Sequence, residues 1–138
     1  MKRYKSFDHT ADLGVEIFGR DEKELFTNAG YALFDLITDP GGIRDRSHLT
    51  ISIEGLDWED LMVNWLRELL SLFNSKKYLP GKFLIDNIRE DFLRAEISGE
   101  EFCSDRHLIK CEIKAVTYHK IEVKKQKGGW ISRVIFDV

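Results

Sequence analysis

Cys111-Glu112-Ile113-Lys114-Ala115-Val116-Thr117-Tyr118-His119-Lys120-Ile121-Glu122-Val123-Lys124 is the run that decides the fold, because it alternates over its whole length. Cys111, Ile113, Ala115, Thr117, His119, Ile121 and Val123 make one row, and Glu112, Lys114, Val116, Tyr118, Lys120, Glu122 and Lys124, five of them charged, make the other. Successive side chains of an extended chain point to opposite faces, so this spacing predicts a long strand with one charged face. Lys127-Gly128-Gly129 then supplies turn chemistry. Beyond it Ile131, Arg133, Ile135 and Asp137 alternate with Trp130, Val134, Phe136 and Val138, a closing strand that folds back on the long one.

Upstream, Phe83-Leu84-Ile85 and residues 92–97 predict a further pair of strands, with 87–91 as the polar turn between them. Pro80-Gly81 separates these strands from what precedes them, and no helix is expected after it. Before Pro80 the period changes. Trp58, Leu61, Met62, Trp65, Leu69, Leu72 and Phe73 recur at three and four residues behind a capping Asp57, which predicts an amphipathic helix. Its aromatic and Met stripe has the spacing that core packing demands, and core is the reading adopted over a ligand groove.

A shorter alternation at Leu49, Ile51 and Ile53 predicts a strand ending at Gly55, and before it Leu25, Ala29, Ala32, Leu33 and Leu36 form a second helical stripe. That helix begins at an Asp21/Glu24 capping pair and stops at Asp39-Pro40-Gly41-Gly42. In residues 9–18 the odd positions His9, Ala11, Leu13, Val15 and Ile17 alternate with Thr10, Asp12, Gly14 and Glu16, so Asp12 points away from the apolar row. The order is β-α-β-α-β-β-β-β. Two striped helices and one apolar sheet face predict an α+β, two-layer sandwich with both helices packed on one face of a mixed sheet. Residues 1–138 read as a single domain with no internal repeat and no composition break.

Composition narrows the functional classes. The 138 residues are 43% hydrophobic and 33% charged with two prolines, a balance that predicts a folded chain without low-complexity segments. Lys and Arg number 21 against 24 Asp and Glu, and a net charge of −3 gives no general attraction for nucleic acid. No apolar run suits a signal peptide or a membrane span, so no membrane role is expected and the cytoplasm is the expected location. Cys103 and Cys111 are too few for a four-ligand zinc site, and the Cys103-x3-His107-x3-Cys111 spacing matches no usual zinc pattern. Both are read as thiols.

Motifs for nucleophilic, phosphate-loop, Cys-x-x-Cys or His-Glu-x-x-His chemistry are absent from the sequence. His9 and His119 fall in apolar rows and read as hydrogen-bonded histidines at the edge of the core. Asp137 and the terminal carboxylate of Val138 would lie close together on the last strand, where two anions repel unless a cation or donor compensates. Were the first strand next to the last, Asp12 would complete a set of hard oxygen ligands suited to Ca²⁺ or Mg²⁺. The residues alone leave two accounts open, solvated strand-end carboxylates and a cation site. Lys114 reads as a solvated lysine on its strand's charged face.

Four blocks resemble the archease family in the right order: Phe7-Asp8-His9-Thr10-Ala11-Asp12, Val63-Asn64-Trp65-Leu66, Lys114-Ala115-Val116-Thr117-Tyr118-His119 and Val134-Ile135-Phe136-Asp137-Val138. The resemblance covers essentially the whole chain. It implies a compact α+β fold and a non-enzymatic role as accessory to the RtcB-type tRNA-splicing RNA ligase, whose guanylylation and turnover archeases promote, with tRNA met only indirectly. It also implies that Asp12, Asp137 and Val138 are ligands of a divalent cation, Ca²⁺ in the first place with Mg²⁺ or Mn²⁺ as alternatives, and that Lys114 is a required lysine. The competing readings are a general chaperone or modulator of tRNA-modifying enzymes and a metal-dependent phosphoesterase.

Overall fold

A computed structural model of the chain describes residues 2–9 and 12–138. In chain order the elements are β1 (Tyr4–His9), β2 (Asp12–Gly19), α1 (Glu22–Ile37), a 3₁₀ turn (Pro40–Gly42), β3 (Ser47–Glu54), α2 (Trp58–Asn74), β4 (Tyr78–Arg89), β5 (Phe92–Glu101), β6 (Ala115–Gln126) and β7 (Gly129–Asp137).

Both helices start by the same device. Asp21 and Asp57 stand in extended backbone, and each side chain accepts the N–H three residues on, from Glu24 and Asp60 respectively, at 2.8 Å. Those bonds satisfy donors that a helix N-terminus leaves without intrahelical partners. The reciprocal carboxylates reach back as well: Glu24 accepts from the N–H of Arg20 and Asp60 from that of Leu56, both at 2.9 Å. Asn28 Nδ2 then donates to the Phe18 carbonyl at 2.7 Å, and Asn64 Nδ2 to that of Glu54 at 2.9 Å, tying each helix to the strand before it. Gly19 and Gly55 complete the joint, since a Cβ at either would lie 2.4 or 2.7 Å from the backbone nitrogen of Leu25 or Leu61. Gly-x-Asp-x-x-(Glu/Asp)-Leu-x-x-Asn therefore occurs twice, which corrects the expectation of no internal repeat. The repeated residues serve backbone groups, and the side chains between them differ enough to hide the pattern.

The strands form two sheets, ordered β1-β2-β7-β6 and β3-β5-β4, and every pairing between them is antiparallel. The α+β class and the succession of elements from Asp12 onward are those read from the sequence, while the expected mixed sheet is instead two antiparallel ones. Each helix packs on both: α1 touches β2 and β4, and α2 touches β6 and β4. The strand read as 9–18 is the second arm of a hairpin, whose first arm, β1, pairs with it from Tyr4 opposite Ile17 to His9 opposite Asp12. Thr10 and Ala11, read as part of that strand, lie outside the described residues, as does the side chain of His9. Pro80-Gly81 does not stand outside the strands but inside β4, at a register shift against β5. β4 is an edge strand, where a residue without an N–H costs no ladder bond.

The helical stripes do form the core. Leu25, Ala29, Ala32, Leu33, Leu61, Met62, Trp65 and Leu69 are fully buried together with Val15, Ile17, Ile97, Val134 and Phe136 from the sheets. Trp65 sits at the centre, with Nε1 donating to the Phe26 carbonyl at 2.9 Å and its ring edge-on to Phe83 at 6.1 Å between centroids. Burying an indole without an acceptor would forfeit that bond, so the two helices are locked by polar as well as apolar contact. Among the described residues no helix is long and apolar enough to cross a membrane.

Candidate functional site

Asp12 opens β2 and Asp137 closes β7, and the two are directly opposed in the antiparallel ladder. Ala115, the first residue of β6, is the partner of Asp137 on the other side. The backbone N–H of Lys114 donates to the Asp137 carbonyl at 2.8 Å. One end of the β2-β7-β6 sheet thus gathers Asp12, Lys114, Asp137 and the adjoining Val138, which the sequence spreads from one terminal region to the other. Asp12 is partly buried, and the other three are exposed.

Lys114 is not on the charged face of a strand as expected. β6 begins one residue later, and Lys114 closes the loop that leads into it. Helix α2 holds backbone carbonyls on both sides of Lys114: Asn74 Nδ2 donates to Ile113 in the loop at 3.2 Å, and Arg67 donates through Nε and Nη2 to Val116 in β6, both at 3.2 Å. Its backbone is therefore fixed on either side while its ammonium faces solvent.

Opposed like charges destabilise a β ladder, and a cation between them removes that cost. Carboxylate and backbone oxygens are donors for a hard cation of the Ca²⁺, Mg²⁺ or Mn²⁺ kind, so the residues present fit such an ion. Among the described residues there is no group of three or more His, Cys, Asp and Glu side chains arranged to hold a metal. A site here needs an oxygen from Val138 beside the two aspartates.

His119 departs from its expected place. The pairing of β6 with β7 slips between Thr117 and Glu122, Lys120 takes φ +52°, and the bulge turns His119 outward into an exposed position. The same bulge presents Tyr118, whose hydroxyl donates to Asp60 Oδ1 at 2.5 Å and whose ring lies 4.7 Å from the Arg67 guanidinium. That hydrogen bond raises the Tyr118 pKa and lowers that of Asp60.

Sequence reasoning missed a buried ionic cluster at the end of β5. Glu100, 6% exposed, accepts from the Arg44 N–H at 2.7 Å and from His107 Nε2 at 2.9 Å, and Arg106 Nη2 pairs with its other oxygen. His107 Nδ1 accepts the Cys103 N–H at 2.9 Å, so the ring proton belongs on Nε2, facing Glu100. Burial works to raise the Glu100 pKa, but the donors from Arg44, Arg106 and His107 outweigh it and hold the value at about 2. Glu100 sat in a strand with nothing local to mark it as buried, and only the Cys-x3-His-x3-Cys spacing hinted that this loop was tied down. Cys103 and Cys111 are free thiols.

The profile of the Archease protein family (MTH1598/TM1083) matches residues 4–138. This chain belongs to the archease family. Similar archeases include that of Methanosarcina acetivorans, 36% identical over 99% of this chain and 97% of its own length. That of Sulfolobus acidocaldarius is 33% identical over the whole of both. The solution structure of Methanobacterium thermoautotrophicum protein 1598 superimposes with a TM-score of 0.83 at 32% identity, each chain covered completely. The crystal structure of an archease from Thermotoga maritima, described there as a possible chaperone, matches 97% of this chain and 96% of its own with a TM-score of 0.68 and 24% identity, a likeness of fold.

Proposed function

We propose that this archease activates an RtcB-type tRNA-splicing RNA ligase in the cytoplasm, promoting the ligase's guanylylation and turnover without itself being an enzyme. The observation that carries the reading is the opposition of Asp12 and Asp137 in one ladder, with Lys114 bound through its N–H to Asp137. Asp12, Asp137 and Val138 hold a divalent cation, Ca²⁺ first and Mg²⁺ or Mn²⁺ as alternatives. When bound, the ion supplies neutralisation of triphosphate charge. The two aspartates fix its position on rigid strands, and Lys114, anchored by Asn74 and Arg67 through its neighbours' carbonyls, adds a cation beside them. The covalent chemistry stays with the ligase histidine, and this role needs no direct contact with tRNA.

Guanylylation of the ligase, measured at limiting enzyme with and without this protein, tests the reading. Stimulation by the wild type and its loss in Asp12→Ala and Asp137→Ala, with both variants folded, is the expected result. Unchanged stimulation by either variant refutes the cation mechanism, and no stimulation by the wild type refutes the activator role. Two other readings separate in the same preparation: turnover of phosphodiesters by the protein alone would make it a phosphoesterase, and recovery of many unrelated clients would make it a general chaperone.

A further inference from the structure

The chain's net charge of −3 conceals an uneven distribution. At the end of the β2-β7-β6 sheet remote from Asp137, the β6–β7 turn and the start of β1 enclose a cleft of about 440 Å³. Its walls are Lys2, Lys5 and Lys127 with Gln126, the glycines 128 and 129, and the partly buried Phe18 and Trp130. Among the described residues no carboxylate lines it. Lys2 and Lys127 have no ion-pair partner among the described residues, and Lys5 has only a 3.7 Å contact with Glu16 while half its side chain remains exposed. Trp130 is braced from behind by Trp58, edge-on at 5.3 Å, and its indole N–H has no acceptor among the described residues. Gly128, at φ +87°, makes the tight turn that brings Lys127 over the cleft.

A Lys ammonium holds phosphate as a point charge, while the planar Arg fork serves carboxylate and phosphate alike. All three cations here are lysines. An open cleft that sets lysines beside aromatic walls matches the way single strands are held, with backbone phosphates on cations and bases on ring faces. Each lysine set free from a carboxylate is worth more to a phosphate than one already paired, and two of the three are so placed.

We infer that this lysine-walled cleft binds the phosphate backbone of a single-stranded nucleic acid. The inference stands apart from the cation reading, because Gly129 and Asp137 are eight residue steps apart along β7, about 26 Å at strand rise. Archease with its carboxylate end on one partner would keep this end open to the strand.

Fluorescence anisotropy of a fluorescein-labelled oligouridylate 12-mer, titrated with the full chain at salt concentrations from about 50 to 200 mM, tests it. Three phosphate contacts predict a slope of log K against log salt of about −2, falling to about −0.7 in the Lys2→Ala/Lys127→Ala double variant. Lys82→Ala, an exposed lysine outside the cleft, should bind as the wild type does. Absence of saturable binding at the lowest salt overturns the inference. So does equal weakening by Lys82→Ala, which would mean diffuse charge, and so does competition by polyglutamate as effective as by unlabelled RNA, which would mean an acidic peptide site. The substituted lysines are exposed and carry no core contact, and circular dichroism of the variants checks that a loss is not a loss of fold.

Discussion

The N–H of Lys114 is bonded to the carbonyl of Asp137 across 2.8 Å, so the lysine and the aspartate share a backbone contact while their side chains remain free to act separately. The contact joins the loop before β6 to the last residue of β7 and fixes where the Lys114 ammonium begins.

Backbone and side chain at Lys114 can be separated by two substitutions. Lys114→Ala keeps the N–H donor and should leave the unfolding free energy from urea titration within about 0.5 kcal/mol of wild type, as for an exposed side chain, while abolishing ligase stimulation. Lys114→Pro removes the donor and should destabilise by about 1 kcal/mol or more. A Lys114→Ala protein that stimulates normally would show the ammonium to be dispensable.

The twin helix starts predict twin costs. Asp21→Ala and Asp57→Ala should each lower stability by about 1 kcal/mol, since each leaves one helix N–H without its acceptor. The caps belong to separate helices, so the double variant should lose close to the sum. Urea unfolding of the four proteins checks this, and a large departure from additivity would mean that the two joints are coupled through the core.

What the sequence made legible is what periodicity encodes. Leu61, Trp65 and Leu69 fall on one stripe because they are buried, and burial is the same fact read in three dimensions. Val15 and Ile17 were readable for the same reason, with Asp12 placed on the other face of their strand. β1 was not, because Lys5, Ser6 and Asp8 leave Tyr4 and Phe7 without an alternating row, and pairing with β2 supplies what its own side chains do not. The division into two sheets and the adjacency of Asp12 to Asp137 are non-local, set by which strands pair, and no spacing within one segment carries them. The bulge at Tyr118 hid in the best alternating run of all, since residues 111–124 keep their pattern in sequence while the chain breaks it in space. Glu100 was invisible because a buried carboxylate is recognised by its partners, and Arg44, Arg106 and His107 reach it from other segments.

Trp65 offers a direct measure of how far the two helices depend on one another. Trp65→Phe deletes the bond to the Phe26 carbonyl and part of the ring, and should cost about 2 kcal/mol. Trp65→Ala should cost about 3–5 kcal/mol by the cavity it leaves. If the Phe variant unfolded at the wild-type urea midpoint, the hydrogen bond would be without net value and packing alone would join α1 to α2.

The buried carboxylate gives the protein an acid limit whose sign can be stated. Glu100 is held at about 2 in the folded chain against an ordinary value of 4.5, so the folded state favours its charged form. A depressed carboxylate contributes stability that is fully present above its unfolded value and is lost as the pH falls through the folded one. Glu100→Gln removes the charge that Arg106 pairs with and the titration together, and at pH 6 it should destabilise by about 3 kcal/mol, the order expected when one partner of a buried pair is removed. Between pH 4.5 and pH 2 the wild type should fall toward the variant, because protonation does to Glu100 what the substitution has already done. Urea midpoints of both proteins at pH 6, 4 and 2.5 read the gap directly: closing on acidification is the expected course, and a gap that stays constant down to pH 2.5 would assign the variant's loss to altered packing around His107 and not to the carboxylate's charge.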